Sequence, residues 1–388
     1  NVHCYETLMA AENGDYEWPQ FDENTASSMC YSSGTTGNPK GVLYSHRSTV
    51  LHAWAAMTPD MLNISAADAV MPVVPMFHVN AWGIPYAAPM AGAKLVMPGA
   101  AMDGKSIHQM IEDEGVTISA GVPTVWLGLL EYLDRSGKTV ETFRHCVIGG
   151  SAAPRAMSVD MEEKYGVQVL HAWGMTEMSP LGTVNWPKFG MEGESDEARY
   201  DRQVKQGRPC YGVDMKIVND ANDYLPEDGE AFGELKVRGF WVCSEYYRAD
   251  GNSHDSEGWF STGDVATIDA EGYMHVTDRS KDVIKSGGEW ISSIELENIA
   301  VGHPEVFEAA VIGIPHPKWD ERPLLVVVRT GDGGVSAENL LEFYTGKVAK
   351  WWIPDDVAFV DELPHTATGK LLKMELRKKF RDYKLPTA

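Results

Sequence analysis

The chain has 388 residues, enough for two or three domains, and 44% of them are hydrophobic, the proportion of an ordinary globular protein with a sizeable core. Its 33 basic and 56 acidic residues give a formal net charge of −23, which argues against a nucleic-acid or anionic-membrane partner. No apolar run approaches ~18 residues, so no membrane-spanning helix is expected. Cys4, Cys30, Cys146, Cys210 and Cys243 are widely spaced, with no CxxC or Cys/His cluster to hold zinc; free thiols in a reducing cytoplasm are the expectation. Residues 1–20 lack the basic and apolar regions of a signal peptide, and the missing initiator Met gives the expectation of a fragment.

Residues 1–25 are polar and irregular. A strand-like run, 26–31, then enters Tyr31-Ser32-Ser33-Gly34-Thr35-Thr36-Gly37-Asn38-Pro39-Lys40-Gly41, and a helix-capable run, 48–57, follows. Glycines let backbone N–H groups approach an anion, the Ser and Thr hydroxyls add donors, and Lys40 adds positive charge. That chemistry suits a polyphosphate. A Ser/Gly linker is the bland alternative, but the stretch lies between ordered apolar segments. It is not a Walker A loop, because Pro39 stands where that pattern needs its second glycine.

Up to about residue 172, short β-branched runs (68–74, 94–97, 117–120, 145–148, 168–172) alternate with helical candidates (82–91, 106–114, 124–133, 155–165). Such alternation predicts βαβ units and a mainly parallel sheet, with ligands at the carboxyl ends of the strands. The charged segment 190–205 reads as a solvated loop or exposed helix. From 207 to 276, short runs with turn signals (214–218, 233–237, 264–268, 273–276) predict a β-rich subdomain. Beyond a turn at 277–282, strands are expected at 283–285, 309–314, 323–328 and 356–360. Helices are expected after a capping box, Ser292-x-x-Glu295, near 337–350 and from 372. The predicted class is α/β: a large N-terminal domain (1–280) of mainly parallel βαβ layers plus a β-rich subdomain, and a small, mobile α+β C-terminal domain (281–388).

Four further stretches hold candidate chemistry, each weak alone. Gly149-Gly150-Ser151-Ala152-Ala153-Pro154 leaves a strand, as any tight βα turn would. His171-Ala172-Trp173-Gly174-Met175-Thr176-Glu177 sets a hydroxyl beside a carboxylate. Near a polyphosphate, such a carboxylate is placed to hold Mg²⁺, although a lone surface acid reads the same way. Ser261-Thr262-Gly263-Asp264 offers an acceptor for a ribose diol, and such turns are common. Pro364-His365-Thr366-Ala367-Thr368-Gly369-Lys370 places a lysine after a hydroxyl-bearing loop, where a solvated lysine is the default.

Together and in this order, with Asp278-Arg279-Ser280-Lys281-Asp282 to Trp290, the stretches resemble the acyl-adenylate-forming superfamily of acyl-CoA synthetases, adenylation domains and beetle luciferases. The resemblance runs from near residue 26 to the end. It implies a further subdomain of roughly 150 residues ahead of the phosphate loop, absent from this chain. It also implies a reaction in two halves: a carboxylate attacks the α-phosphate of ATP to give an acyl-adenylate, and a thiol, usually coenzyme A, then displaces AMP.

The roles that the resemblance implies are as follows. Ser32, Ser33, Thr35, Thr36 and Lys40 hold the pyrophosphate side of ATP. Gly150, Ser151, Ala152, Ala172, Trp173 and Gly174 surround the adenine. Thr176 contacts the α-phosphate, Glu177 holds Mg²⁺, and Asp264 and Arg279 bind the ribose. Lys370 supplies cationic stabilisation where charge accumulates. Lys281 is the hinge about which the C-terminal domain turns. Lys285 and Gly288 belong to the coenzyme A side, where a glycine lets a narrow pantetheine arm pass.

Gly149, His78, Trp82 and Met178 fall to the acid pocket, with His78 either a gate or a base. The stretch Pro75-Met76-Phe77-His78-Val79-Asn80-Ala81-Trp82-Gly83 and its surroundings are similar to medium-chain fatty acyl-CoA ligases. Within that group they are similar to the 3-methylmercaptopropionate-CoA ligases of dimethylsulfoniopropionate breakdown. The implied substrate is a short- or medium-chain acid with an uncharged tail. A longer-chain fatty-acid ligase, a free-standing enzyme that loads a carrier protein, and a non-catalytic nucleotide-binding scaffold are the alternatives; a homodimer is the implied assembly.

Overall fold

The structure, a computed structural model, describes residues 4–32, 39–219, 221–249, 253–279, 281–287, 289–331, 334–366 and 371–388. Ser33, Thr35, Thr36, Gly288 and Lys370 lie outside the described residues.

Val42 and Tyr44 are buried while Leu43 is exposed, the alternation of a half-buried strand. They belong to β2 (Lys40–Ser45), antiparallel to β1 (Ala26–Ser32). The sequence pattern leads from the phosphate loop straight to a helix; the structure sets a strand between them. Helix His46–Met57 also begins two residues earlier than expected. Ser45 caps it: its Oγ accepts from Ser48 N, and Ser48 Oγ accepts from Ser45 N.

β3 (Ala69–Pro72), β4 (Lys94–Leu95), β5 (Ile118–Gly121), β6 (His145–Ile148) and β7 (Gln168–Gly174) form a parallel array in the order β4-β3-β5-β6-β7. β8 (Leu181–Val184) and β9 (Arg208–Pro209) extend it antiparallel. β3 and β5 are buried along their whole length, which is why they read as continuous apolar runs. The chain steps from β3 to one side and returns to β5 on the other, so a crevice is expected beyond the strand ends. The segments that leave β3, β6 and β7 all emerge there.

β10 (Val213–Val218), β11 (Phe232–Gly239), β12 (Phe260–Ile268) and β13 (Met274–Arg279) make an antiparallel sheet in chain order. Its register sets Asp264 opposite Arg279. The last sheet holds β14 (Ile284–Ser286), β15 (Glu289–Ile291), β16 (Val306–His316) and β17 (Asp320–Arg329) in the order β15-β14-β17-β16, with β18 (Asp356–Phe359) parallel to β17. Two apolar clusters drawn from residues 284–385 fill its faces. The expected α/β class therefore stands, with a large N-terminal part and a smaller C-terminal one.

Three local expectations change. The expected helix at 337–350 stops at Phe343, and Gly346, at φ +79°, turns the chain before a short 3₁₀ turn at Lys350–Trp352. Half of the capping box forms: Ser292 Oγ accepts from Glu295 N at 3.1 Å, and its hydroxyl donates to Thr277 O. The charged segment 190–205 contains a helix, Asp196–Gln203, that buries Tyr200, Arg202 and Gln203. Arg202 is satisfied there by Glu194 at 2.5 Å and Asn185 Oδ1 at 2.8 Å.

A buried ionic cluster joins β13 to the C-terminal part. Lys373 Nζ meets Glu297 Oε1 at 2.6 Å and Ser293 Oγ at 2.5 Å, and Asp278 Oδ2 accepts from Ser293 N and Oγ at 2.6 and 2.7 Å. Burial raises the Glu297 carboxyl to about 7, although the Lys373 charge opposes it. The five cysteines are free, and all but Cys4 are buried. Among the described residues no helix is long and apolar enough to cross a membrane.

Three histidines make the fold sensitive to acid. His52 Nε2 accepts from Leu181 N at 3.2 Å, so it must be neutral there. Burial depresses His52 to about 3, and His171 and His275 to about 4, from 6.5. Below pH 6.5 the unfolded chain takes up protons that the folded chain refuses. The stability is present above that value and is lost as pH falls towards 4. Each group contributes a slope of about 1.4 kcal/mol per pH unit. Urea unfolding should therefore lose about 3.5 kcal/mol per unit between pH 6 and 5 beyond any carboxylate effect. His52→Gln should remove about a third of that slope; an unchanged slope contradicts the assignment.

Candidate active site

The site grows from the end of β7. Thr176, Glu177 and Met178 form a 3₁₀ turn, and all three are buried. Hydrogen bonds from distant parts of the chain fasten this turn. Tyr44, on β2, donates its hydroxyl to Thr176 O at 2.7 Å. Cys243 N donates to Glu177 O at 2.7 Å. Tyr246 donates its hydroxyl to Glu177 Oε1 at 2.7 Å. Burial and the facing Glu177 carboxylate push the Tyr246 phenol well above the ordinary tyrosine range, so it stays a donor. The Lys40 ammonium lies 4.6 Å from the centre of the Tyr246 ring, a cation–π distance. Tyr247 N donates to Gly41 O at 2.8 Å, which binds the same segment to the hairpin.

A second group forms around Asp264, which is 5% exposed. Its Oδ2 accepts from Trp173 Nε1 at 2.9 Å, and its Oδ1 pairs with Arg279 Nε at 3.3 Å. Asp264 N donates to Thr262 Oγ1 at 3.1 Å. A carboxylate has about four acceptor positions, so two partners leave capacity for a diol. Trp173 is the bridge, because the residue next but two along the chain is Thr176.

One acid-pocket candidate, Trp82, lies on a strained segment that directly follows another, His78. Val79, Asn80, Ala81 and Trp82 have φ between +50° and +59°, and Gly83 has φ +73°. This left-handed turn replaces the start of the expected helix at 82, which begins instead at Ile84. Such a conformation costs about 1–2 kcal/mol for each L-residue, so the surroundings must impose it. Val79 and Ala81 are buried in the core. Trp82 fills the space over Gly149: a Cβ there would lie 3.1 Å from Trp82 Cη2 and 3.1 Å from Ala172 O. A Cβ on Gly182 would lie 2.6 Å from the Trp173 ring and 3.1 Å from Met178 Cε, so those two side chains converge. Met178 itself is wholly buried and backs the site from below.

The structure thus joins Lys40, Thr176 and Glu177; Trp173, Asp264 and Arg279; and Trp82, Gly149 and Ala172. Ser32 ends β1, and Gly174 ends β7. His78 is half-buried and precedes the left-handed turn. Gly150 and Ser151 are exposed and Ala152 is half-buried in the segment leaving β6. Lys281 is exposed beyond β13. Lys285 lies on β14, where its N–H donates to Glu321 and its ammonium lies 6.0 Å from the Trp290 ring. Tyr44, Tyr246 and Asn80 escaped the sequence reading. The one signal for the tyrosines was their place in otherwise apolar or aromatic strand-flanking runs. A cleft of about 680 Å³ near Asn185 and Gln203 shares no residue with this site.

Residues 3–247 match the family model described as AMP-binding enzyme, and residues 295–370 match the AMP-binding enzyme C-terminal domain. The chain belongs to the AMP-binding enzyme family. It is 56% identical to the 3-methylmercaptopropionyl-CoA ligase of Ruegeria lacuscaerulensis, over 98% of this chain and 71% of that protein. It is 54% identical to the medium-chain-fatty-acid–CoA ligase of Ectopseudomonas oleovorans, over 98% of this chain and 69% of that protein. ATP-bound MatB from Rhodopseudomonas palustris superposes with a TM-score of 0.83 at 26% identity, over 98% of this chain and 73% of that one. Within the AMP-binding enzymes this one is an acyl-CoA synthetase.

Charge-assisted hydrogen bonds of the kind Asp264 makes are worth about 1.5–3 kcal/mol. Asp264→Asn should weaken AMP binding by about 10- to 100-fold by calorimetry, and Trp173→Phe, which removes one orienting donor, by less. Equal affinities in all three proteins would remove Asp264 from the nucleotide site.

Proposed function

We propose that this AMP-binding enzyme is an ATP-dependent acid–thiol ligase that activates a short- or medium-chain carboxylic acid through acyl-AMP to acyl-CoA, with 3-methylmercaptopropionate as the acid. The observation that carries the reading is the buried Thr176–Glu177 turn, clasped by Tyr44 and Tyr246, next to the Trp173–Asp264–Arg279 group. A nucleotide whose ribose meets Asp264 has its phosphates within reach of Thr176, Glu177 and Lys40. The acid oxygen then attacks the α-phosphorus, and the bond to the leaving pyrophosphate breaks. In the second half, the thiol attacks the acyl carbonyl carbon and AMP leaves.

Among the described residues, no group of three or more His, Cys, Asp or Glu side chains could hold a metal ion. A single buried carboxylate fits Mg²⁺ that arrives with ATP, because that ion binds through one or two carboxylates plus substrate phosphates. When bound, it neutralises phosphate charge. Tyr246 uses one acceptor position of Glu177 and fixes its orientation. Lys370 is the proposed cation at the acyl and bridging oxygens. The proposed domain boundary is 281, with Lys281 the hinge and Lys285 and Gly288 on the thiol side. A reducing cytoplasm is the proposed setting, supported by four buried free thiols.

The acid assignment is supported by the uncharged surroundings of Gly149. Trp82 and Trp173 are aromatic, Met178 is buried behind Trp173, and none of the residues joined around Gly149 is charged. The full-length protein with ATP, Mg²⁺ and coenzyme A should release AMP and form acyl-CoA with 3-methylmercaptopropionate at least as well as with butyrate, hexanoate or octanoate. A clear preference for octanoate moves the fatty-acid reading ahead. AMP without acyl-CoA moves the carrier-loading reading ahead, and ATP binding without pyrophosphate release supports the scaffold. For Lys370→Ala, adenylation should fall by 100-fold or more, in the range of a lost charge-stabilising donor. Thioesterification of supplied acyl-adenylate should largely survive; equal loss of both halves contradicts the role.

A further inference from the structure

The left-handed turn at 79–83 has a feature that the proposed acid pocket does not explain. Asn80 sits inside it at φ +50°, in a region where Asn is tolerated better than most residues. Its side chain does not face the pocket residues. It crosses to β1, where Nδ2 donates to Ser28 Oγ at 2.8 Å and Oδ1 accepts from Cys30 Sγ at 3.5 Å. Both partners lie on the strand that runs into the phosphate loop. Two residues on, Trp82 meets the backbone of Gly149 at the end of β6. Behind it, a Cβ on Gly83 would lie 2.6 Å from His52 Cε1, so the turn is closed on that side as well.

Four successive L-residues in this conformation need a restraint that outlasts thermal motion, and strain of this kind concentrates where geometry serves function. The core burial of Val79 and Ala81 fixes the turn's depth, but apolar contacts are non-directional. The bidentate amide of Asn80 is directional. It sets the rotation of the turn about its own axis, and hence the angle at which Trp82 stands over Gly149.

We infer that Asn80 is a positioning residue for acid recognition: by anchoring the left-handed turn to Ser28 and Cys30 it holds Trp82 as a fixed pocket wall. The inference rests on the ligase reading for its kinetic arm and on geometry alone for its structural arm. Asn80→Gly is the informative variant, since glycine adopts the positive φ readily and removes both side-chain bonds, and Ser28→Ala separates loss of the anchor from the backbone freedom that glycine adds. Ser28→Ala removes one of the two bonds from the other end.

In pyrophosphate exchange, Asn80→Gly should raise KM for the preferred acid about tenfold while kcat and KM for ATP stay within about twofold. The preference among acids of different tail size should flatten by a similar factor. Ser28→Ala should shift both in the same direction by less. Amide hydrogen exchange over residues 79–83 should quicken at least tenfold in Asn80→Gly, whether or not any acid is turned over. Wild-type exchange rates at 79–83, or wild-type KM values across the acid panel, overturn the inference. A proportional rise in every kinetic constant with a fall in Tm also overturns it, because that marks a general structural role. Absence of AMP formation by the wild-type enzyme with every acid overturns the ligase reading instead and leaves the exchange measurement to decide the anchor.

Discussion

Burying a carboxylate without partners is expensive, and the Glu177 turn is organised around avoiding it. Glu177 is 4% exposed. Its carboxylate receives the Tyr246 hydroxyl, its carbonyl receives Cys243 N, and the preceding carbonyl receives the Tyr44 hydroxyl. These three donors come from two different segments, β2 and the run that follows β11. Neither can move without unsatisfying a buried group. The turn, the phosphate hairpin and the 243–247 segment therefore behave as one body. This is what allows a carboxylate to sit buried and oriented, as the metal-holding role proposed for Glu177 requires.

The same logic recurs at the other end of the site. Asp264 and Asp278 are both buried, at neighbouring positions on two paired strands of one sheet. Asp264 is served by Trp173 and Arg279, and Asp278 by Ser293. Arg279 directly follows Asp278, and its N–H donates to Asp278 Oδ1 at 2.7 Å. One strand end thus carries the cation that pairs with Asp264 and a buried carboxyl that reaches the C-terminal part. Lys373 completes that carboxyl's surroundings through Ser293. Removing one member of this buried group would leave an uncompensated ion, so Asp278, Ser293 and Lys373 fasten β13 to the C-terminal part.

The parallel sheet was legible in the sequence because β3 and β5 are buried on both faces and leave continuous apolar runs. Residues such as Trp173, Glu177, Asp264 and Arg279 were legible because their chemistry sits in short contiguous patterns. β2 was not: its alternation begins inside the Gly/Ser/Thr stretch, and Lys40 and Gly41 read there as loop chemistry. Tyr44 and Tyr246 were not, because their partners lie 132 and 69 residues away and no spacing rule connects them. The helix at 196–203 was read as solvated because charge was taken as exposure, whereas Arg202 is buried with Glu194 and Asn185 as partners. The left-handed turn left no trace at all, since Val79-Asn80-Ala81-Trp82 contains no glycine to announce a positive φ.

That last case bears on how an uncharged pocket can choose its substrate. Apolar walls discriminate weakly, by about 1–3 kcal/mol for each methylene added or removed. They do so only if the wall cannot yield. A tryptophan on a relaxed helix can change rotamer or shift with its helix, and the difference between two acids shrinks accordingly. Here Trp82 stands on backbone whose φ values are held against their intrinsic preference, with His52 packed against Gly83 and the Trp82 ring over Gly149. The strain of that turn is offset by the burial of Val79 and Ala81 and by the Asn80 hydrogen bonds, and it is those restraints that resist movement of Trp82. In the proposed acid pocket, selectivity without a charged recognition residue would therefore rest on the backbone as much as on the side chains.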